Sequence, residues 1–304
     1  MQKILITGGT GLLAINWAFA LRDKMHVTLI THSRSININK VSVLNLDLNS
    51  IKNIISAIEN IKPDYVIHTA GLTSVEKCEL DPKEAFFVNA QLAENVALAC
   101  LKTNTQMVHI STDHLYDGGK SFFSEQDNVC PLNIYGESKA AAEKKILDLG
   151  SEVLIIRTNF YGWGPRYRQS FSDNIIKNLR SGMPLKLFED VFYTPIYIGT
   201  LIRLVHELLV QKSNGIFNIV GNERLSKYDF GMSLAKFFNL DTKHITPSKI
   251  IDHEFLAKRP NDMSLNNAKI IKKLGFKIHS MDKDFEYLLQ DEKKYNISKI
   301  QSSN

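Results

Sequence analysis

The chain opens with a short apolar segment, Lys3–Thr7, that runs directly into Gly8-Gly9-Thr10-Gly11 and then into helix-forming residues. A buried strand, a glycine turn and a helix in immediate succession leave few architectures open. The small residues stand as Gly9-x-Gly11-x-x-Ala14, and equally as Gly8-x-x-Gly11-x-x-Ala14. Glycine permits positive φ and close backbone approach, and the helix N-terminus presents free N–H groups and its positive dipole end. Such a junction suits the pyrophosphate of a dinucleotide, and Ala14 is small enough for the helix to lie close on the strand. The same residues also read as a secretory signal, with Lys3 as the charged start and Ala18-Phe19-Ala20 as a cleavage-like site. Glycines in the middle of the apolar run would break the helix of such a signal, so the strand–turn–helix reading is preferred.

Strand and helix patterns keep alternating. Strands are expected at Lys3–Thr7, His26–Thr31, Val41–Asp47, Asp64–Thr69, Gln106–Ser111 and Glu152–Arg157, mostly as continuous apolar runs of the kind buried on both faces. Helices are expected over 11–23, 50–60, 82–103 and 131–149, the third with Pro82 just inside an Asp81 N-cap. This alternation predicts an α/β fold, a Rossmann-type doubly wound parallel sheet with a small interleaved α/β substrate domain. After Arg157 the pattern loosens into the aromatic turn Tyr161-Gly162-Trp163-Gly164-Pro165, a pocket wall or lid in character. A helix over Ser172–Arg180, short strands near 185–188 and 194–198, a helix over 199–211 and a strand over Gly215–Val220 follow. The expected division is a dinucleotide-binding domain over 1–157 with strands returning near 194–220, a largely substrate-binding cap over 158–291, and a polar tail over 292–304.

Composition narrows the partners. At 44% hydrophobic and 23% charged, the 304 residues have the make-up of a folded chain. A net charge of +5, from 37 basic and 32 acidic residues, fits an anionic small molecule and is too weak to argue for nucleic acid. No apolar run reaches the ~18 residues of a membrane span. Cys78, Cys100 and Cys130 form no CxxC or Cys/His cluster, and the nine histidines include no HExxH or HxxxH pair. Neither a disulfide framework nor a metal site is expected, and the pattern suits the reducing cytoplasm.

The end of the second strand separates the two nicotinamide dinucleotides. An acidic residue there would bind the ribose 2′-OH of NAD. This chain has Thr31-His32-Ser33-Arg34, where the Arg34 guanidinium could hold a 2′-phosphate, so NADP(H) is favoured over NAD(H). The competing role for Arg34 is that of a solvated loop residue.

Reduction of a carbonyl by hydride needs a proton donor beside the oxygen. A tyrosine serves when a nearby cation stabilises its phenolate, and lowering its pKa from about 10 to about 7 is worth ~4 kcal/mol. Tyr-x-x-x-Lys on a helix puts phenol and ammonium on one face. Three such pairs occur. Tyr116/Lys120 is interrupted by Gly118-Gly119, and Tyr295/Lys299 belongs to the polar tail. Tyr135/Lys139 lies in PLNIYGESKAAAEKKILDL, a helix-forming stretch that follows a strand ending in Ser111-Thr112-Asp113. Asp113 itself reads equally as a general acid or a turn cap. Gly118-Gly119-Lys120-Ser121 resembles the end of a phosphate loop but has His114 where the earlier glycine is required, and no GxSxG elbow is present.

Taken together, ITGGTGLLA (6–14), HTAGLTSVEKCELDP (68–82), VNAQLAENVALAC (88–100), HISTDHLYDGG (109–119), PLNIYGESKAAAE (131–143), RTNFYGWG (157–164) and RPNDMSLNNAKI (259–270) resemble the extended short-chain dehydrogenase/reductase superfamily. The nearest branch is that of the dTDP-4-dehydrorhamnose reductases and related sugar-nucleotide reductases. The resemblance implies a hydroxyl, phenol and ammonium triad of Thr112, Tyr135 and Lys139, with Tyr135 protonating the C4 oxygen of a nucleotide-diphosphate sugar. It places Gly8, Gly11 and Leu12 at the pyrophosphate, Asp47 and Leu48 near adenine, and Ala70 and Gly71 along the cofactor cleft, with Lys139 also at the nicotinamide ribose. Thr73, His114, Asn159 and Arg259 are its substrate contacts. It further implies a part in surface polysaccharide synthesis and leaves a homodimer open.

Two departures bear on the sugar pocket. The branch usually has an aromatic where His114 stands, and often Trp where Phe160 stands. Thr112-Asp113 lacks the following Glu of the related 4,6-dehydratases, which argues against dehydration. Two alternatives stay open, an NAD-dependent sugar-nucleotide epimerase and a non-catalytic cofactor-binding subunit resembling the regulatory one of methionine adenosyltransferase.

Overall fold

The computed structural model describes every residue except Ser151, Asn296, Ser298, Lys299, Gln301 and Asn304. Among the described residues, the main sheet comprises β1 Lys3–Thr7, β2 His26–Thr31, β3 Val41–Asn45, β4 Tyr65–His68, β5 Gln106–Ile110, β6 Leu154–Arg157 and β7 Gly215–Asn218. Their spatial order is β7-β6-β5-β4-β1-β2-β3, and every adjacent pair is parallel. The architecture is Rossmann-type α/β.

The continuous apolar runs arise because both faces are covered. Alternate residues Ile4, Ile6, Leu29, Ile67 and Val108 face α1 (Leu12–Leu21) and the helix Ile198–Val210, while Leu5, Ile30, Val66 and Met107 face the helices Ile51–Ile61, Leu92–Lys102 and Ile134–Asp148. Residues of the first helix are among the most buried in the chain, with Ala14, Ile15, Trp17 and Ala18 at 0% exposure. The Trp17 indole N–H reaches across to His206 Nε2 at 2.9 Å.

Several expectations are refined. The helix expected over 82–103 is broken into Pro82–Phe86, a π-helical turn at Phe87–Gln91, and Leu92–Lys102. The Asp81 carboxylate does cap it, accepting from Glu84 N at 3.0 Å. The π turn carries Asn89, which accepts from Leu72 N at 2.7 Å and donates to Leu72 O at 3.0 Å and Ser138 Oγ at 2.9 Å. Tertiary hydrogen bonds of this kind reward an extra residue that propensity has no means of showing. A short helix, Val75–Leu80, precedes it and was not anticipated.

Of the strands expected to return near 194–220, only Gly215–Asn218 enters the main sheet. Ile196–Tyr197 pairs instead with Phe160–Tyr161. Aromatic packing favours this pairing, since Tyr161, next to that strand pair, gathers edge-on around Phe230 with Tyr193 and Phe285. At the C-terminus the helix Met281–Tyr295 runs past the expected start of the polar tail at 292, Ile297 is 2% exposed, and Ser302–Ser303 pairs with Ser35–Ile36. The tail's remaining expectation, for 296, 298, 299, 301 and 304, falls outside the described residues. No helix among the described residues is long and apolar enough to cross a membrane.

Candidate active site

Strand order reverses at β1, which has β2 on one side and β4 on the other. Loops leaving β1 and β4 diverge there and open a crevice at the carboxyl ends of the strands. Two adjoining cavities fill it, of about 500 and about 250 Å3, and both are lined by Gly8, Thr10 and Ala70.

The glycine turn forms the floor. Gly8 has φ +69, and a Cβ there would stand 2.8 Å from the backbone of Ala70. α1 follows Gly11 at its N-cap with no side chain capping it, so its first N–H groups are free to meet an anion. Gly11 and Leu12 line the larger cavity, with Ala70, Gly71 and Thr73 opposite. The smaller cavity is a largely apolar slot holding Asp47, Leu48, Phe87 and Leu92, with His32, Ser33 and Arg34 at one end. Arg34 makes no ion pair with a carboxylate among the described residues, and its guanidinium lies 5.3 Å from the Tyr167 ring. A slot for an adenine, a cation at its rim and a free helix N-terminus beyond it fit a dinucleotide bearing an extra phosphate.

The chemistry-bearing side chains line the larger cavity. The helix Ile134–Asp148 begins at Asn133, whose side-chain oxygen accepts from Gly136 N at 2.9 Å. That places Tyr135 in the first turn and Lys139 one turn later. Gly136 is needed because a Cβ there would collide with the His114 carbonyl, and the helix could not lie against the loop carrying Thr112 and Asp113. Burial pushes the Tyr135 phenol up to about 12, while its hydrogen bond with Thr112 pulls the other way. Lys139 is 5% exposed and donates to the Ile110 carbonyl at 2.7 Å. Burial brings its ammonium down to about 8, opposed by the charge of Glu143.

Thr73, His114 and Asn159 share this cavity. Thr73 Oγ1 accepts from Arg168 at 2.6 Å, Asn159 donates to Asp113 at 2.6 Å, and the His114 ring meets Tyr135 edge-on at 5.4 Å. Burial holds His114 below the usual imidazole range. Arg259 lines neither cavity, although its charge acts on His114; it donates to Glu76 at 2.7 Å and lies over the Phe255 ring at 4.3 Å.

The structure brings in residues the sequence had not singled out. Arg168 and Phe171 join the wall, and Tyr167 donates to the Thr10 carbonyl at 3.1 Å, tying the 164–170 loop to the glycine turn. The only signal was compositional: Arg166-Tyr167-Arg168 within an otherwise turn-rich loop. Of the other Tyr/Lys pairs, Lys120 is paired with Asp127 at 2.6 Å in a segment that opens no helix, against the phosphate-loop reading, and Lys299 lies outside the described residues.

These features can be set beside known proteins. The family model described as RmlD substrate binding domain matches residues 1–294. The dTDP-4-dehydrorhamnose reductase of Aggregatibacter actinomycetemcomitans is 28% identical over 288 residues, which are 90% of this chain and 94% of that protein. Methionine adenosyltransferase 2 subunit beta of Pongo abelii is 28% identical over 282 residues, covering 88% and 81%. The crystal structure of a hypothetical dTDP-4-dehydrorhamnose reductase from Sulfolobus tokodaii has a TM-score of 0.81 at 30% identity, covering 94% of this chain and 99% of that one. The glycine turn, the parallel sheet and the Tyr135–Lys139 helix all fall inside the matched span, and the chain belongs to the RmlD substrate-binding domain family.

Proposed function

We propose that the protein is an NADPH-dependent reductase of the 4-keto group of a nucleotide-linked 6-deoxyhexulose, of the dTDP-4-dehydrorhamnose kind, serving polysaccharide synthesis. The observation that carries this reading is that Thr112, Tyr135 and Lys139 line the same cavity as the Gly8–Leu12 turn. Residues 1–157 with β7 form the dinucleotide side, and much of 158–291 forms the sugar side.

NADPH, when bound, supplies the hydride. Gly8, Gly11 and Leu12 would surround its pyrophosphate, with the free N–H groups coming from Leu12 onward because Gly11 N already donates to Gly8 O at 2.7 Å; Arg34 would hold the 2′-phosphate, Asp47 and Leu48 would flank the adenine, and Ala70 and Gly71 would line the cleft. Tyr135 enters the reaction as a phenol, since burial keeps its proton on. It gives that proton to the carbonyl oxygen as the alcohol forms, and Thr112 hydrogen-bonds the same oxygen. The positive charge of Lys139 stabilises the phenolate left behind. Thr73, His114 and Asn159 contact the sugar nucleotide, and Arg259 joins them only on leaving Glu76. His114 and Phe160, where the branch carries an aromatic and often a tryptophan, set which hexulose fits. Three unpaired thiols, Cys78, Cys100 and Cys130, suit a cytoplasmic setting, and a homodimer is the assembly to test by sedimentation.

The test is NADPH oxidation with a panel of dTDP-, GDP- and UDP-4-keto-6-deoxysugars. Stoichiometric oxidation that drops by about 10^2–10^4 in Tyr135→Phe supports the reductase. Isomerisation without net oxidation makes it an epimerase, a reading the absence of an acidic residue at Arg34 disfavours. The likeness to the adenosyltransferase subunit favours a second reading, a cofactor-binding partner protein. Cofactor binding with no turnover on any sugar would replace the first reading with that one.

A further inference from the structure

Lys139 is held from beneath by the sheet. Its Nζ donates to the Ile110 carbonyl at 2.7 Å and lies 3.3 Å from His109 Nε2. His109, from β5, is 0% exposed and its ring stacks on that of His68 from β4, with centroids 5.5 Å apart and planes 18° from parallel. The two residues are direct partners in the β4–β5 register. Thr7 Oγ1, at the entry to the glycine turn, completes the row at 2.9 Å from His68 Nδ1. Two ring nitrogens, His68 Nε2 and His109 Nδ1, are buried with no partner among the described residues. Unpaired buried nitrogens are costly, and an apolar pair would fill the same space more favourably. Packing therefore does not explain a histidine at 109. Among the described residues, the one polar side-chain group within hydrogen-bond distance of its ring is the Lys139 ammonium.

We propose that His109 is a positioning residue for Lys139: its Nε2 accepts one N–H of the ammonium and holds it at a fixed depth on the cavity wall shared with the Tyr135 phenol. The inference rests on the reductase reading, in which Lys139 acts as the cation.

Burial keeps both imidazoles neutral, His68 near 3 and His109 well below its usual range, with Lys139 adding to the effect. A neutral His109 with Nε2 as acceptor carries its hydrogen on Nδ1, the unpaired nitrogen. The titratable groups that act on Lys139 are His109 from β5, His68 from β4 and Glu143 on its own helix, with Tyr135 sharing the cavity wall. Glu143 is already taken by Arg157, whose Nη2 donates to it at 2.6 Å. The charge of Glu143 still opposes the burial of the ammonium, and Ile110 O and His109 Nε2 are the neutral acceptors in direct contact with it. With His109 gone, one opposing contact goes and the ammonium loses its proton more readily.

The experiment titrates the lysine side-chain carbons in ligand-free protein by NMR, with the Lys139 signal assigned by its loss in Lys139→Arg. The wild-type midpoint is expected near 8. His109→Leu should lower it by about one pH unit, since a neutral acceptor has been removed from a buried cation. His109→Gln, whose amide oxygen can accept in place of Nε2, should restore most of the shift. His68→Phe, which removes the stacking partner but no contact to Lys139, should leave the midpoint in place. If His109→Leu does not fold, His109→Met supplies the same comparison. A wild-type midpoint in His109→Leu, or an equal shift in His68→Phe, would overturn the proposal. In the turnover assay the alkaline limb of the His109→Leu profile should move down with the NMR midpoint. A wild type that reduces no ketosugar overturns the reductase reading instead, and leaves the titration to decide the role of His109.

Discussion

The Arg157 guanidinium donates to Glu143 through Nε at 3.0 and 3.1 Å and through Nη2 at 2.6 Å, with both side chains under 5% exposed. Arg157 ends β6, and Glu143 stands one helical turn beyond Lys139. The pair therefore anchors the Tyr135–Lys139 helix to the sheet, and the remaining guanidinium group donates to Tyr116 Oη at 2.7 Å.

Removing one partner of this pair strands a buried charge. Arg157→Met or Glu143→Leu alone is expected to cost about 3–5 kcal/mol, whereas the double variant should cost markedly less because no lone charge remains. Urea unfolding of the three variants measures this, and equal losses in single and double variants would contradict it.

Arg34 should decide cofactor choice. Its guanidinium is free of ion pairs among the described residues, so Arg34→Ala removes a charge-assisted contact worth about 1.5–3 kcal/mol, or roughly ten- to hundredfold in NADPH affinity. NADH affinity should hardly change. Parallel titrations of the two dinucleotides test this; equal losses for both would assign Arg34 a general role.

Gly8→Ala should fail at the turn. The +69 φ disfavours any side chain, and the new methyl would press on the Ala70 backbone at 2.8 Å. Dinucleotide binding should fall at least tenfold, with a loss of about 1–3 kcal/mol in stability from backbone strain. Calorimetric binding and thermal unfolding report the two effects separately.

Acid should begin to destabilise the protein as pH falls below the usual imidazole range. His68 and His206 are held by burial near 3 and 4, below their usual 6.5. The unfolded chain takes up protons at these sites below pH 6.5 while the folded one does not. Stability is therefore lost as pH falls from about 6.5 toward those values, at ~1.4 kcal/mol per pH unit for each histidine. Asp173 and Asp284, raised by burial to about 6, offset two histidines between their usual 3.8 and 6, since the folded state then holds the extra proton, and His109 and His114, also lowered by burial, keep the net slope destabilising. His206→Leu should flatten the acid slope by about one proton. An unchanged slope in urea midpoints between pH 7 and 5 would count against a neutral buried His206.

Local chemistry made much of the fold and part of the site legible. Gly8 at the end of an apolar run, Pro82 behind an Asp81 cap, and Tyr135 four residues from Lys139 depend on φ preferences, capping and helical pitch, which act over a turn or less. The departures come from contacts made across the fold. Asn89 draws a helix into a π turn by reaching Leu72 and Ser138, and aromatic packing around Phe230 favours the pairing of Ile196–Tyr197 with Phe160–Tyr161. Arg259 lies on Glu76, 183 positions away in the chain.

By itself, then, the amino-acid order determined a parallel α/β chain with a dinucleotide turn and a helix bearing phenol and ammonium on one face. Only the tertiary structure decided that Tyr135/Lys139 lines the cleft while Lys120 is spent on Asp127, and that His109 rather than a carboxylate meets the ammonium. Strand order is the physical reason. Parallel pairing sets β4 beside β5, which stacks His68 on His109 beneath the helix that brings Tyr135 and Lys139 to the crevice opened at β1, a proximity that no local propensity encodes.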